Sequence, residues 1–216
     1  MKTGKLSELI ENMCYPEEEP RDYIGASNIG SECYRQIWYE FTGESGEPVS
    51  PKIKRTWEIG KALEVLILNW IESSGIEISR IWFDLKDKEL SYFRGHVDAM
   101  CTKEGEAQYI IEIKTAKDAS FNLFVKNGCK SWNSRYYAQL QAYMGMSGIH
   151  NAYILVLNKD NSSIMDECIE FDESYYESLK LKARMIYEAT MPPPKISGSP
   201  LWFACKMCKF RKICHE

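Results

Sequence analysis

Four charged side chains could form one chemical site together if the fold brought them into one place. In "QYIIEIKTAKD", residues 108–118, Glu112 and Lys114 interrupt a run that otherwise reads as a buried strand. Two residues apart, they project from the same face of any strand. If the preceding "CTKEGEA" turns around Gly105, Asp98 falls opposite Glu112 across an antiparallel hairpin. Directly opposed residues have Cβ atoms roughly 5 Å apart. Two carboxylates at that distance repel by about 3 kcal/mol at an effective dielectric of about 20, and Lys114 offsets part of this. A solvated sheet face with a surface ion pair is the ordinary reading of the segment alone. The sharper one is a divalent-metal site, because Mg²⁺ takes oxygen ligands, commonly one or two carboxylates plus a substrate phosphate.

The fourth side chain is Glu64. In the helical segment from about 54 to 73, Gly60, Leu63, Glu64, Ile67, Leu68 and Ile71 share one face by their three- and four-residue spacing. A carboxylate on an apolar stripe is expensive unless it has a partner. A cation shared with Asp98 and Glu112 would be one partner, and an edge position open to solvent would be another. A later helical patch, "SRYYAQLQAYMGM", places Gln139 and Tyr143 four apart on one face.

A second constellation is made of sulfur. Of eight cysteines, Cys205, Cys208 and Cys214 form C-x₂-C-x₅-C in "CKMCKFRKIC", and Cys33 stands far upstream in "CYRQIWYEFTG". In a reducing compartment this pattern points to a metal or cluster site rather than to disulfides. Four thiolates suit either a structural zinc ion or an iron–sulfur cluster, and the spacing by itself does not choose. Cys14, Cys101, Cys129 and Cys168 lack matching spacing and read as buried or incidental thiols.

The elements that must position these groups come from a chain of 216 residues, enough for one substantial core. Hydrophobic residues at 44% and charged ones at 27% exclude the disordered class. A net charge of −4 supplies no general attraction for nucleic acid, which leaves any such contact to a local groove. The longest apolar run, "AYILVL", is too short to cross a bilayer, and the start lacks the apolar stretch of a secretory signal. A soluble, cytoplasmic protein is therefore expected. Helices are expected at about 5–13, 31–41, 54–73 and 134–147, with a last one capped by Asp172 and running to about Thr190. Strands are expected at "IEISRIWFDL", "LSYFRGHVDAMC", "AQYIIEIKTA", "HNAYILVLN" and "SIMDECIEF". This is an α/β pattern with helices around a central mixed sheet.

Taken together, "GKALE" ending at Glu64, "GHVD" ending at Asp98, "EIK" at 112–114 and "QLQAY" from Gln139 to Tyr143 resemble the motifs of the RecB-type PD-(D/E)XK nucleases. E-x-K alone is a weak signal, whereas the ordered quartet is specific. The single upstream cysteine with three near the C-terminus resembles the iron–sulfur branch, namely AddB-type nuclease domains and the CRISPR-associated exonucleases. One departure is Glu64, which stands where the CRISPR-associated members usually carry histidine, so a stand-alone phage or recombination nuclease fits as well.

The resemblance implies a restriction-endonuclease-like core over 51–190, an N-terminal helical segment over 1–50, and a linker and cysteine-rich tail over 191–216, all in one nuclease domain. The tail would be clipped to the N-terminal helix by Cys33, Cys205, Cys208 and Cys214 around a [4Fe–4S] cluster, with zinc the alternative. Asp98, Glu112, Glu64 and the carbonyl of Ile113 would hold Mg²⁺ or Mn²⁺. Lys114 would orient or deprotonate the attacking water or stabilise the phosphate, with positioning and electrostatics favoured, and Gln139 and Tyr143 would position DNA. His96, on the Asp98 face of its strand, would lie at the periphery. Trp132, Tyr136 and Tyr137 among Lys126, Lys130 and Arg135 suit single-stranded DNA, held by phosphate contacts and stacking, unless the rings are core. The implied activity is exonucleolytic cleavage of single-stranded DNA ends in recombination, repair or CRISPR adaptation, alongside proteins of those pathways. A structure-specific endonuclease, or a DNA-binding assembly subunit without catalysis, is the alternative.

Overall fold

The computed structural model of the chain describes residues 4–16, 21–102 and 107–216. The elements run α1 (Lys5–Glu11), β1 (Ile24–Gly25), α2 (Ala26–Ile29), α3 (Tyr34–Phe41), α4 (Pro51–Ser73), β2 (Glu77–Lys86), β3 (Phe93–Thr102) and β4 (Tyr109–Ala116). They continue with α5 (Asp118–Trp132), α6 (Ser134–Ser147), β5 (Asn151–Asn158), β6 (Ile164–Glu170), α7 (Glu173–Glu188), α8 (Phe203–Lys206) and α9 (Arg211–His215). The strands form one mixed sheet in the order β1-β3-β4-β5-β6, with β2 on β3.

Strand β3 organises the sheet. Along one edge it pairs antiparallel with β2, from Thr102 to Arg94. Its other edge is shared: β1 pairs parallel with Phe93 and Arg94, and β4 pairs antiparallel with Ala99, Met100 and Cys101. Between these two ladders, residues 95–98 have no strand beside them on that edge among the described residues. Backbone groups left open there must find other partners, and the candidate site grows from that gap.

Helices cover both faces. Ile67, Leu68 and Ile71 of α4 pack on Ala99, Cys101, Ile111, Ile113 and Leu157. The other core joins α2, α6 and α7 to Phe93, Ile110, Ile154 and Val156. Each fully buried aliphatic side chain contributes roughly 1.5–3 kcal/mol of transfer free energy.

The expected strands all form, within a few residues at their ends. The helix expected from Ser31 starts at Tyr34 instead, because Cys33 is still extended as its N-cap. Helix α6 is capped by the Asn133 side chain and ends at Gly148, whose φ of 77° suits glycine. Asp172 caps α7 by accepting from the Tyr175 amide. Helix α5 was not expected. Its apolar periodicity is broken at Gly128, where φ is 71° and the Glu167 carboxylate accepts the next amide, that of Cys129. The turn expected around Gly105 lies outside the described residues.

The tail returns to the N-terminal segment by ordinary contacts. Phe210 is 1% exposed and packs on Tyr39 at 5.3 Å. The Glu47 amide donates to the Lys209 carbonyl, Arg35 to Pro193, and the Trp38 indole to Ala189. Packing and hydrogen bonds thus join the tail to α3 and the segment that follows it.

Candidate active site

The β3–β4 register agrees with the hairpin expectation. Ala99 pairs with Ile111, Met100 with Ile110 and Cys101 with Tyr109, so the next pair in line is Asp98 with Glu112. That pair does not close. The Ile113 amide donates instead to Asp98 Oδ2 at 2.7 Å, so a side chain stands where a ladder bond would be. Beyond this point β4 leaves β3 and follows β5.

Glu112 is 1% exposed and accepts from Lys114 Nζ through Oε1. Its Oε2 is buried with no hydrogen-bond donor in place among the described residues, although the Gln139 amide lies near enough to favour its charge. Glu64 on α4 adds a third carboxylate whose field reaches both Asp98 and Glu112. Burial, then the charge of Glu112, pushes Asp98 well above the usual carboxylate range, against the pull of Lys114. Burial raises Glu112 as well, with Lys114 opposing. Burial alone would lower Lys114, but Glu112 and Asp98 outweigh it and hold the ammonium charged. Its Nζ also lies 4.8 Å from the centre of the Tyr136 ring.

Three carboxylates, one of them fully buried, against one ammonium leave an excess of acidic groups at the site. Together with the orphaned Oε2, this is a donor set that fits a hard divalent cation. Among the described residues, no group of three or more His, Cys, Asp or Glu side chains is already arranged to hold a metal ion. Lys114 and the Ile113 amide occupy oxygens that a cation would use.

Helix α6 backs the site. Gln139 Nε2 donates to the Tyr143 hydroxyl at 2.6 Å, and that hydroxyl donates to the His96 carbonyl in the open edge of β3. Burial, then Glu112, raises Tyr143 well above the ordinary tyrosine value, so it stays a neutral donor. The glycine of "GHVD" has a packing reason: a Cβ on Gly95 would come within 2.5 Å of the Tyr143 ring.

The residues missed in sequence reasoning line the other side of the gap. Arg21, Tyr23 and Ser27 join Arg94, His96, Gln139 and Tyr143 around one cavity. His96 shares a hydrogen bond with the Tyr23 hydroxyl at 2.8 Å and pairs with Asp84 through Nδ1. Arg94, adjoining "GHVD", could have been noticed; Arg21 and Ser27 had no signal, since the parallel pairing of β1 brings them. Trp132, Tyr136 and Tyr137 are half-buried and pack against the core, and Trp132 contacts Phe124. They are at least partly structural.

All four motif cysteines line one pocket between α3 and the tail, with His215. Burial raises Cys205 and Cys208, and Cys33 and Cys214 add to each shift, which places the four thiols within electrostatic reach of one another. His215 Nε2 is buried there without a hydrogen-bond partner among the described residues. Cys101 and Cys129 are buried, as expected of incidental thiols, whereas Cys14 and Cys168 are exposed.

This sheet, with helices on both faces, is also the fold of known exonucleases. The alkaline exonuclease LHK-Exo from Laribacter hongkongensis superposes with a TM-score of 0.60 at 15% identity, over 78% of this chain and 87% of that one. A phage-related exonuclease from Haemophilus somnus 129PT gives 0.55 at 13%, over 76% and 91%. SSO0001 gives 0.56 at 18% and covers 98% of this chain and 96% of its own, so that likeness takes in the tail. No curated protein matches the chain. Residues 21–150 match the YqaJ-like viral recombinase domain, and the chain belongs to that family.

Proposed function

We propose that the protein is a metal-dependent deoxyribonuclease that removes nucleotides from DNA ends during recombination, with single-stranded ends preferred. The observation that carries this reading is the buried Glu112–Lys114 pair beside Asp98, with Glu112 Oε2 left unpartnered. Family membership and the shared exonuclease fold support it. Asp98, Glu112, Glu64 and the Ile113 carbonyl would hold Mg²⁺ or Mn²⁺, which when bound supplies charge to acidify water and stabilise the scissile phosphate.

The chain's own groups divide the remaining work. Glu112 and Asp98 favour the charged form of Lys114, which suits it to electrostatic stabilisation of the phosphate. Gln139 and Tyr143 act from behind, fixing the His96 carbonyl and hence the course of β3 into Asp98. Arg21, Arg94 and Ser27 give the adjoining cavity donors for a DNA phosphate.

For the tail, we propose that Cys33, Cys205, Cys208 and Cys214 hold a [4Fe–4S] cluster, with zinc the competitor. Protein purified anaerobically should carry iron and labile sulfide that Cys208→Ser loses. Stoichiometric zinc in their place would overturn the cluster.

End-labelled single-stranded DNA should be degraded in the presence of Mn²⁺ or Mg²⁺, and Lys114→Ala should lose this activity. Persistent cleavage by Lys114→Ala or Asp98→Ala would overturn the site. Cutting of closed circular single-stranded DNA would make the enzyme an endonuclease, and no cleavage of any DNA would leave a binding subunit.

A further inference from the structure

Among the described residues, two non-glycine residues have left-handed backbones: Ser162, in the β5–β6 connection, and Trp82. Trp82 is the unexpected one, because it lies in the middle of β2 with φ of 46°. A bulky side chain rarely adopts that conformation, and where it does the surrounding structure must hold it. Burial does not, since the residue is 54% exposed.

Position and hydrogen bonding supply a reason. The β2–β3 ladder pairs Ile81 with Ala99 and Phe83 with Val97, so Trp82 stands opposite Asp98 without joining the ladder. The indole Nε1–H donates to Glu64 Oε1 at 2.5 Å. One strained residue therefore sits beside one acid of the site and holds another, on a different element. The indole fixes one oxygen of Glu64 and leaves the second available.

We propose that Trp82 is a positioning residue of the candidate site, which orients the Glu64 carboxylate toward a divalent cation shared with Asp98 and Glu112. This rests on the metal-dependent reading above. Without the N–H, Glu64 would swing among rotamers on an exposed stretch of α4, and the cation would lose an oriented ligand. Partners of this kind, once removed, typically cost metal affinity about 10-fold to 100-fold.

The test is Mn²⁺ binding to the DNA-free protein, followed by the electron paramagnetic resonance signal of free Mn²⁺. Trp82→Phe keeps the ring and removes the N–H, and should weaken binding about tenfold. Trp82→Gly, which suits the left-handed backbone, should weaken it as much while leaving the melting temperature unchanged or higher. In nuclease assays Trp82→Phe should raise the Mn²⁺ concentration needed for half-maximal rate far more than it lowers the rate at saturation. Wild-type affinity in both variants, with Glu64→Gln weakened, would overturn this role and leave the metal site standing. Absence of Mn²⁺ binding by the wild-type protein would instead remove the metal reading, and this proposal with it.

Discussion

Asp98 Oδ2 accepts the amide proton of Ile113 at 2.7 Å, at the first position where the β3–β4 ladder fails to close. The bond ties the acid to the backbone next to Glu112. Two carboxylates that would repel across a regular hairpin are thereby held on diverging strands, with Lys114 between their charges. An acid kept in such a place lowers stability when nothing neutralises it, which makes the cost measurable.

Asp98→Asn should stabilise the metal-free protein while abolishing nuclease activity. The amide oxygen can still accept the Ile113 proton, and the repulsion with Glu112 and Glu64 disappears. A gain of about 1 kcal/mol corresponds to a rise in melting temperature of about 2–4 °C for a chain of this size. A variant that melts lower than wild type in chelator would contradict the account.

The same acid sets a pH dependence. Its folded-state pKa is raised above the unfolded value of about 3.9. The folded state thus binds the proton more tightly, and the stability linked to Asp98 is full below that value and lost as pH rises through the raised pKa. In chelator, the difference in melting temperature between Asp98→Asn and wild type should widen upward from about pH 4. Saturating Mg²⁺ should close it. A difference that does not change with pH would show that Asp98 is not perturbed.

Lys114→Ala strands a buried carboxylate, and breaking such a pair typically costs about 3–5 kcal/mol. Adding Glu112→Gln should recover much of that loss, because the buried Glu112 charge is then gone. Urea unfolding of the two single variants and the double variant measures the coupling. Additive single effects would mean that the pair is not a stabilising unit.

Gly95→Ala should displace the Tyr143 ring, since the new Cβ would lie 2.5 Å from it. Overpacking of this kind costs about 1–3 kcal/mol, and the Tyr143 bond to His96 should go with it. Tyr143→Phe, which removes only the hydroxyl, should lower activity with the ring still packed. Unchanged stability in Gly95→Ala would show that α6 can give way.

Phe210→Ala should loosen the tail even if a metal is bound by the cysteines. Loss of a buried phenyl ring costs about 3–5 kcal/mol, and Tyr39 would lose its partner. Limited proteolysis in the 191–200 linker measures the release; wild-type resistance would mean that the thiols alone hold the tail.

How much of this was legible beforehand can be followed residue by residue. Glu112 and Lys114 are two apart, and Gln139 and Tyr143 four apart, so strand and helix geometry alone placed each pair on one face. The register of Asp98 against Glu112 followed from a turn signal. Ile67, Leu68 and Ile71 are buried as their spacing required, and Glu64 lies beside them with Trp82 as its hydrogen-bond partner. These relations are short in sequence, and the backbone repeat dictates them.

What only the tertiary structure decided is non-local. The open edge of β3 exists because β1 and β4 stop short of each other on it. That gap brings Arg21 and Ser27 to the site, gives Tyr143 a carbonyl to bond, and leaves the Ile113 amide to Asp98. Trp82 was invisible for the same reason: its strained backbone answers to Asp98 across the sheet and to Glu64 on a helix, and no local pattern encodes either. Periodicity says which side chains share a face. Which faces meet depends on pairings between distant segments, each weak alone and settled only when the whole sheet and both helical layers have formed.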